Sequence, residues 1–356
     1  MTGKPTSRKK KATLFGAIVG VAAAGVAAGI AAERVLVGRT RKAIAEDPLA
    51  AEPFDKLPYD ERRMVVTEDD VDVYAEICRG GDGTAPTLVF VHGFCLDMGT
   101  FHFQRRALQG TYDMVFYDQP GHGKSGRQAA GDYDLASLAA TLRRVIDETV
   151  PDGPLVLVGH SMGAMAIMSF AEQWPALIKN RVAGVALLNT SAGKLDEVTF
   201  GLPRAVSGIR KPIVPVLATA GRLTPGVIDK ARRASSDLFW LLTRRYGFGT
   251  AKPSPALVSY VERMISRTSV EIMAGYVKTL MTHSRSAALA RLVKKEVLVV
   301  AGDKDLFTPP EHAEEICRML PSAEVLIVPD AGHLALLEHP EPVNQALISL
   351  VRRAAG

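Results

Sequence analysis

Leu155-Val156-Leu157-Val158-Gly159-His160-Ser161-Met162-Gly163 is the stretch on which the reading turns. Four apolar residues run into Gly-x-Ser-x-Gly, and Ala164 to Phe170 carries on as an apolar, helix-forming segment. A short buried strand followed at once by a helix requires a sharp turn between them. At such a turn the serine takes a strained backbone, and the small residues on both sides let neighbouring chain approach. The hydroxyl is then presented at the end of a sheet. The N-terminus of the following helix favours negative charge developing beside it. Ser161 is therefore the candidate nucleophile. A structural Gly/Ser turn is the alternative, and the flanking strand and helix argue against it.

Further apolar runs lie on either side: Thr87 to Val91, Met114 to Tyr117, Val182 to Leu188, Val297 to Val300 and Val325 to Val328. Each is short and rich in β-branched residues, as buried parallel strands are. Helical stretches such as Leu135 to Val150 and His312 to Leu320 separate most of them. Alternating strands and helices imply an α/β fold, a mostly parallel central sheet with helices on both faces. Upstream, Met64 to Val66 and Val71 to Ile77 flank Glu68-Asp69-Asp70 and read as a hairpin. No internal repeat is visible.

Ligands in such sheets bind beyond the carboxyl ends of the strands, so reactive residues belong just after the apolar runs. His92-Gly93-Phe94 follows the first. A backbone N–H from this loop, assigned to Phe94, and that of Met162 would form an oxyanion hole. Gly302-Asp303-Lys304-Asp305 and Pro329-Asp330-Ala331-Gly332-His333 follow the last two runs. The strand at Val182 to Leu188 ends in Asn189-Thr190-Ser191 and offers no carboxylate. Asp305 and Asp303 compete as the acid. Asp305 is preferred because it lies further out in its loop, where it can reach a histidine. His333 is the expected base, giving the chain order Ser, acid, His. His92 reads as structural and His160 as pointing away from its neighbour Ser161. His122 sits in a Gly-rich turn. His102, His283, His312 and His339 have no strand-end setting, and His339 precedes Pro340 where the last helix should begin.

The 356 residues, 47% hydrophobic and 23% charged, suit a globular protein with a sizeable core. Cys78, Cys95 and Cys317 form no CxxC and no ligand cluster, so neither a disulfide framework nor a metal or redox site is indicated. The net charge of +5 is uneven: Thr190 to Ala290 holds fifteen Lys and Arg against six Asp and Glu, so the remainder is net acidic. Solvated helix faces explain such an excess, and attraction to an anionic surface or substrate is the alternative. No nucleic-acid partner is expected.

Ala12 to Ala32 is uncharged, with Arg8 to Lys11 before it and Glu33, Arg34, Arg39, Arg41 and Lys42 after it. The run is long enough to cross a bilayer as a helix. A retained membrane anchor is the preferred reading of residues 1–34. A cleaved signal peptide, with secretion, and a soluble Ala-rich helix compete with it. Basic residues on both flanks leave the orientation open. Residues 35–62, interrupted by Pro48, Pro53 and Pro58, are expected to be a linker.

His92-Gly93-Phe94, Asp118-x-x-Gly121-His122-Gly123-x-Ser125, Gly159-His160-Ser161-Met162-Gly163, Gly302-Asp303-x-Asp305 and Gly332-His333 together resemble the α/β-hydrolase superfamily, in its esterase, lipase and haloperoxidase-like branch. The resemblance covers roughly Arg63 to Arg353. One departure is Ala164, where many lipases carry a second glycine. The family implies a core of residues 63–191 and 291–356, with a helical cap, 192–290, over the active site. About 100 residues separate the strand ending near Asn189 from the one beginning near Lys295, more than an ordinary connection. Leu238 to Thr243, Leu257 to Ile265 and Ile272 to Met281 read as apolar-faced cap helices. Serine at the elbow disfavours epoxide hydrolases and haloalkane dehalogenases, which use a carboxylate there. The Gly-Gly-Ser-Trp-Gly of iminopeptidases is absent. The resemblance implies a small-molecule or lipid-like carboxylic ester as substrate, a Ser161-His333-Asp305 triad and no cofactor. An acyltransferase or C–C bond hydrolase would use the same triad. An inactive binding module should have lost a member of it.

Overall fold

The computed structural model describes residues 47–81, 83–129, 131, 133–199 and 236–356. Its strands are β1 (Glu61–Val66), β2 (Asp72–Cys78), β3 (Thr87–Val91), β4 (Met114–Tyr117), β5 (Leu155–His160), β6 (Val182–Leu188), β7 (Glu296–Gly302) and β8 (Glu324–Val328). They form one eight-stranded sheet in the order β1-β2-β4-β3-β5-β6-β7-β8. From β4 to β8 every pairing is parallel, while β1 pairs β2 and β2 pairs β4 antiparallel.

Side chains alternate across a strand; the inner strands β3 to β7 are buried on both sides, whereas the edge strands β1 and β8 expose alternate residues, among them Met64, Val66, Val325 and Ile327. Val89, Val91, Leu155, Leu157, Val185 and Leu187 point to one face. There they meet α2 (Leu135–Thr149) and α3 (Met162–Gln173) through Leu142, Val145, Ile167 and Met168, and α9 (Pro310–Met319) through Ile316. Between them in chain order, α4 (Pro175–Asn180) adds Ile178 to this layer. Leu88, Phe90, Phe116, Val156, Val158 and Val300 point to the other face. They meet α1 (His102–Leu108) and α11 (Pro340–Ala355) through Phe103, Leu108, Leu347 and Leu350. Helices therefore cover both faces, and each fully buried aliphatic contributes about 1.5–3 kcal/mol.

Between β6 and β7 come α5 (Ser236–Gly247), α6 (Pro255–Arg267), α7 (Val270–Thr282) and the short α8 (Ser286–Leu289). The remainder of the expected cap, 200–235, lies outside the described residues. Where the chain leaves and re-enters the body it pairs with itself: Arg285 N–H donates to Ala192 O at 2.7 Å and Gly193 bridges Ser284. Val258, Val261 and Met264 of α6 join the core beside Phe101 and Phe103. Ile272 and Tyr276 of α7 pack on Leu135, Leu138, Met162 and Met165. The cap thus rests on the first turns of α2 and α3, directly beside Ser161.

Of the expected linker, 35–62, residues 35–46 lie outside the described residues, and the part from 47 onward is packed, not a loose connection. Residues 47–60 fold onto the body, and β1 already begins at Glu61. Asp47 accepts hydrogen bonds from Ser254 Oγ and Ala256 N–H at the start of α6, at 2.9 and 2.8 Å. Phe54 stacks on Tyr260 of α6 at 4.3 Å. Glu52 pairs with His102 and Arg106 of α1. The three prolines punctuate a packed arm there. Among the described residues no helix is long and apolar enough to cross a membrane. Ala12 to Ala32, expected as the anchor, lies outside them.

Candidate active site

Ser161 joins β5 to α3 with φ 52° and ψ −118°. A non-glycine residue held there stores on the order of 1–3 kcal/mol of strain, which packing must sustain. The flanking glycines show how. A Cβ on Gly159 would lie 2.5 Å from Ala164 Cα, and one on Gly163 would run into the Val91 carbonyl oxygen. Only hydrogen fits at either place, so α3 closes tightly on β5 and β3. Ala164 still fits at the position where many lipases carry glycine.

The strand ends bring Ser161, His333 and Asp305 together. His333 Nε2 lies 2.9 Å from Ser161 Oγ, and His333 Nδ1 lies 2.8 Å from Asp305 Oδ2. Asp305 is buried. Its Oδ1 accepts the N–H groups of Phe307 and Thr308 at 2.8 and 3.0 Å. Its Oδ2 also accepts Thr308 Oγ1 at 2.8 Å and Asn189 Nδ2 at 3.0 Å. Burial alone would raise this carboxyl. The charge of His333 and the hydrogen bonds from His333, Thr308 and Asn189 outweigh it and hold Asp305 below the ordinary carboxylate range. An ionised acceptor on Nδ1–H leaves Nε2 free to accept a proton from Ser161. Asp303, the rival acid, is exposed and accepts the Ala331 N–H at 3.3 Å.

Asn189 and Thr308 were not singled out in the sequence. Asn189 Nδ2 also donates to Gly332 O at 3.1 Å, tying the acid to the histidine loop. Both residues follow a strand or its loop at the carboxyl edge, but neutral side chains there carry no chemical mark in the sequence. His92 and His160 are held by main-chain hydrogen bonds. Gln119 N–H donates to His92 Nε2 at 2.8 Å, so His92 Nδ1 carries the proton and donates to Gly93 O at 2.8 Å. His160 Nε2 lies 2.9 Å from the His333 carbonyl oxygen and so braces the base from behind. Burial, with the His333 charge beside it, pushes His160 down to about 3, so it stays neutral.

A cavity of about 210 Å³ opens above Ser161 Oγ. Phe94, Leu96, Met165, Leu195, Val277, Leu280, Met281 and Phe307 line it beside His160, Thr308 and His333. Its walls are apolar, apart from the groups that face the hydroxyl. Met162 opens α3, where an N–H has no intrahelical acceptor. Phe94 lines the same cavity, next to Gly93, where a Cβ would stand 3.2 Å from Ser161 Cβ. A larger cavity of about 430 Å³ lies between the N-terminal arm, α1 and α6, and contains none of the three residues. Among the described residues no group of three or more His, Cys, Asp or Glu is placed to hold a metal.

This arrangement can activate a hydroxyl and hold an apolar group over it. Several known proteins resemble the chain. The dihydrolipoyllysine-residue acetyltransferase component of the acetoin cleaving system of Pseudomonas putida is 29% identical over 274 residues, 77% of this chain and 65% of that protein. The chain thus spans less than two thirds of that relative. Lipase 1 of Psychrobacter immobilis is 24% identical over 282 residues, 78% of this chain and 79% of the lipase. A thermophilic esterase from Thermogutta terrifontis superposes with a TM-score of 0.64 at 24% identity, over 83% of this chain and 100% of that one, a likeness of fold. The alpha/beta hydrolase fold family model matches residues 86–340. The chain belongs to the α/β-hydrolase fold family.

Proposed function

We propose that the protein is a serine hydrolase that cleaves carboxylic esters carrying an apolar acyl or alcohol group. The observation that carries this reading is the unbroken Asp305–His333–Ser161 hydrogen-bond chain beneath an apolar cavity. His333 Nε2 takes the Ser161 proton as Oγ attacks the ester carbonyl. The N–H groups of Phe94 and Met162 receive the developing oxyanion, a donor of this kind typically being worth about 2.7–4 kcal/mol. The intermediate collapses as His333 protonates the departing alcohol, leaving the acyl group on Ser161. Water, deprotonated by His333, then releases the acid and restores the hydroxyl. Asp305 stays ionised throughout and holds the imidazole orientation. The route needs no metal or organic cofactor.

The acetyltransferase relative supports a second reading, in which an alcohol, amine or thiol replaces water in the last step. Adding such acceptors at fixed ester concentration separates the two by product analysis. We also propose that Ala12 to Ala32 holds the full-length chain at a membrane, because the run matches a hydrocarbon core in length. Retention of full-length protein in the membrane fraction after a high-salt wash supports this. Full-length protein in the soluble fraction overturns it, and a product starting near Ala32 points to a cleaved signal.

The test of the main reading is hydrolysis of uncharged acyl esters by the wild type and by Ser161→Ala. The wild type should turn them over, and the variant should lose on the order of 10³–10⁶ in turnover with its fold intact. Full activity in pure Ser161→Ala would remove the proposal.

A further inference from the structure

Glu338 closes the short helix α10 (Ala335–Glu338), five residues after His333. Its carboxylate accepts three backbone N–H groups: Gly332 at 2.7 Å, Thr250 at 2.8 Å and Gly249 at 3.0 Å from each oxygen. Gly332 immediately precedes His333, whereas Gly249 and Thr250 follow the cap helix α5. Both carboxylate oxygens are therefore in use, with donors on two separate segments. Those segments also touch main chain to main chain. Leu334 N–H donates to Gly247 O at 3.0 Å. A Cβ on Gly249 would lie 2.6 Å from Gly332 N, and one on Gly332 would lie 2.7 Å from Gly249 N. No side chain fits between them.

The peptide groups around His333 are fixed from other sides as well. The Gly332 carbonyl accepts Asn189 Nδ2, and the His333 carbonyl faces His160 Nε2. Asn189 and His160 tie the loop to the sheet, and Glu338 ties it to the cap. We propose that Glu338 is a positioning residue that sets the His333 loop between Asp305 and Ser161, making placement of the base depend on the seating of the cap. The inference rests on the reading of His333 as the base. Its geometric basis is the tolerance of the site. The two His333 contacts, at 2.9 and 2.8 Å, are ordinary hydrogen-bond lengths, and a misplacement of the ring by about 1 Å would break them and cost on the order of 10²-fold in turnover.

Glu338→Gln tests it. The amide keeps the shape but replaces one acceptor oxygen with a donor, so either Gly332 or Thr250 loses its partner, while Gly249 keeps the remaining oxygen. Turnover per active site, counted by fluorophosphonate titration, should fall about tenfold or more. KM should stay within about twofold, because the apolar cavity is untouched. The downfield proton resonance of the His333 Nδ1–H should shift or broaden. Glu338→Asp draws the carboxylate back by one methylene from the same three donors without filling any space and should give the same signature, which keeps the test alive if Glu338→Gln does not fold. Wild-type turnover per site in a folded variant, or a loss explained wholly by fewer titratable sites with the resonance unmoved, would overturn the proposal. Ser161→Ala separates the two levels. Persistent hydrolysis there removes the triad reading itself, while an inactive Ser161→Ala beside an unaffected Glu338→Gln removes only the positioning role.

Discussion

Two carboxylates two residues apart differ in everything that matters to a base. Asp305 is buried and touches His333, while Asp303 is exposed and touches a backbone N–H. Asp305→Asn replaces an ionised acceptor with an amide that can stabilise the wrong imidazole tautomer, and turnover should fall by about 10⁴. Asp303→Asn should leave turnover within about twofold, the range of a surface change. Steady-state kinetics on both variants checks the pair, and a crippling Asp303→Asn with a harmless Asp305→Asn would reverse the roles. Ser161 was legible in the sequence because its signal is local, a glycine-bounded turn between an apolar strand and an apolar helix. Asn189 and Thr308 were not. Their amide and hydroxyl acquire meaning only when β6 and the loop after β7 converge on Asp305, a meeting that no local pattern marks.

At the scale of elements, the inner strands were read to within two residues because a continuous apolar run fits a strand buried on both faces. By contrast, β1 begins three residues before its apolar run, and β8, though read from such a run, leaves Val325 and Ile327 exposed at the sheet edge. The arm at 47–60 was missed because it has no period. It is held by one aromatic stack and by acids that cap or pair with distant helices. Removing residues 1–34 should leave a soluble, active enzyme. Removing 1–60 should cost on the order of 3 kcal/mol, from the charged hydrogen bonds of Asp47 and Glu52 and the Phe54–Tyr260 stack. The midpoint of thermal unfolding should then fall by roughly 5 °C, and equal melting of the two shortened forms would contradict the packed arm. The cap makes a second prediction. Val277, Leu280 and Met281 lie at i, i+3 and i+4 on α7 and share the face toward the cavity. Met281→Ala should favour longer acyl chains, each added buried methylene being worth about 0.8 kcal/mol, or roughly fourfold in kcat/KM. An unchanged chain-length profile across an ester series would remove α7 from the substrate pocket.

The whole molecule carries several histidines in places that exclude charge. Burial holds His92 well below its ordinary value, and the neighbouring His122 adds to this. Burial pushes His122 down to about 4 and, with Arg285 and His312 nearby, His283 down to about 4; His160 stands at about 3. In the unfolded chain each would take a proton near pH 6.5. Between that value and the folded one the unfolded state binds more protons, so stability is full above about pH 6.5 and is lost as the pH falls. Each such histidine should cost roughly 1–2 kcal/mol by pH 5. Asp305, held low in the folded state, adds a loss in the same direction at lower pH. Denaturant unfolding at pH 7.5 and pH 5 should show the fall, and equal stabilities would contradict the neutral, buried assignment. The sheet order, the strained elbow and the cap all converge on one oxygen, Ser161 Oγ. The most direct measurement is therefore mass mapping of the protein after reaction with a fluorophosphonate. A single adduct on the peptide carrying Ser161, absent in Ser161→Ala and greatly slowed in Asp305→Asn, is the expected result; no adduct, or one on another residue, would contradict the account.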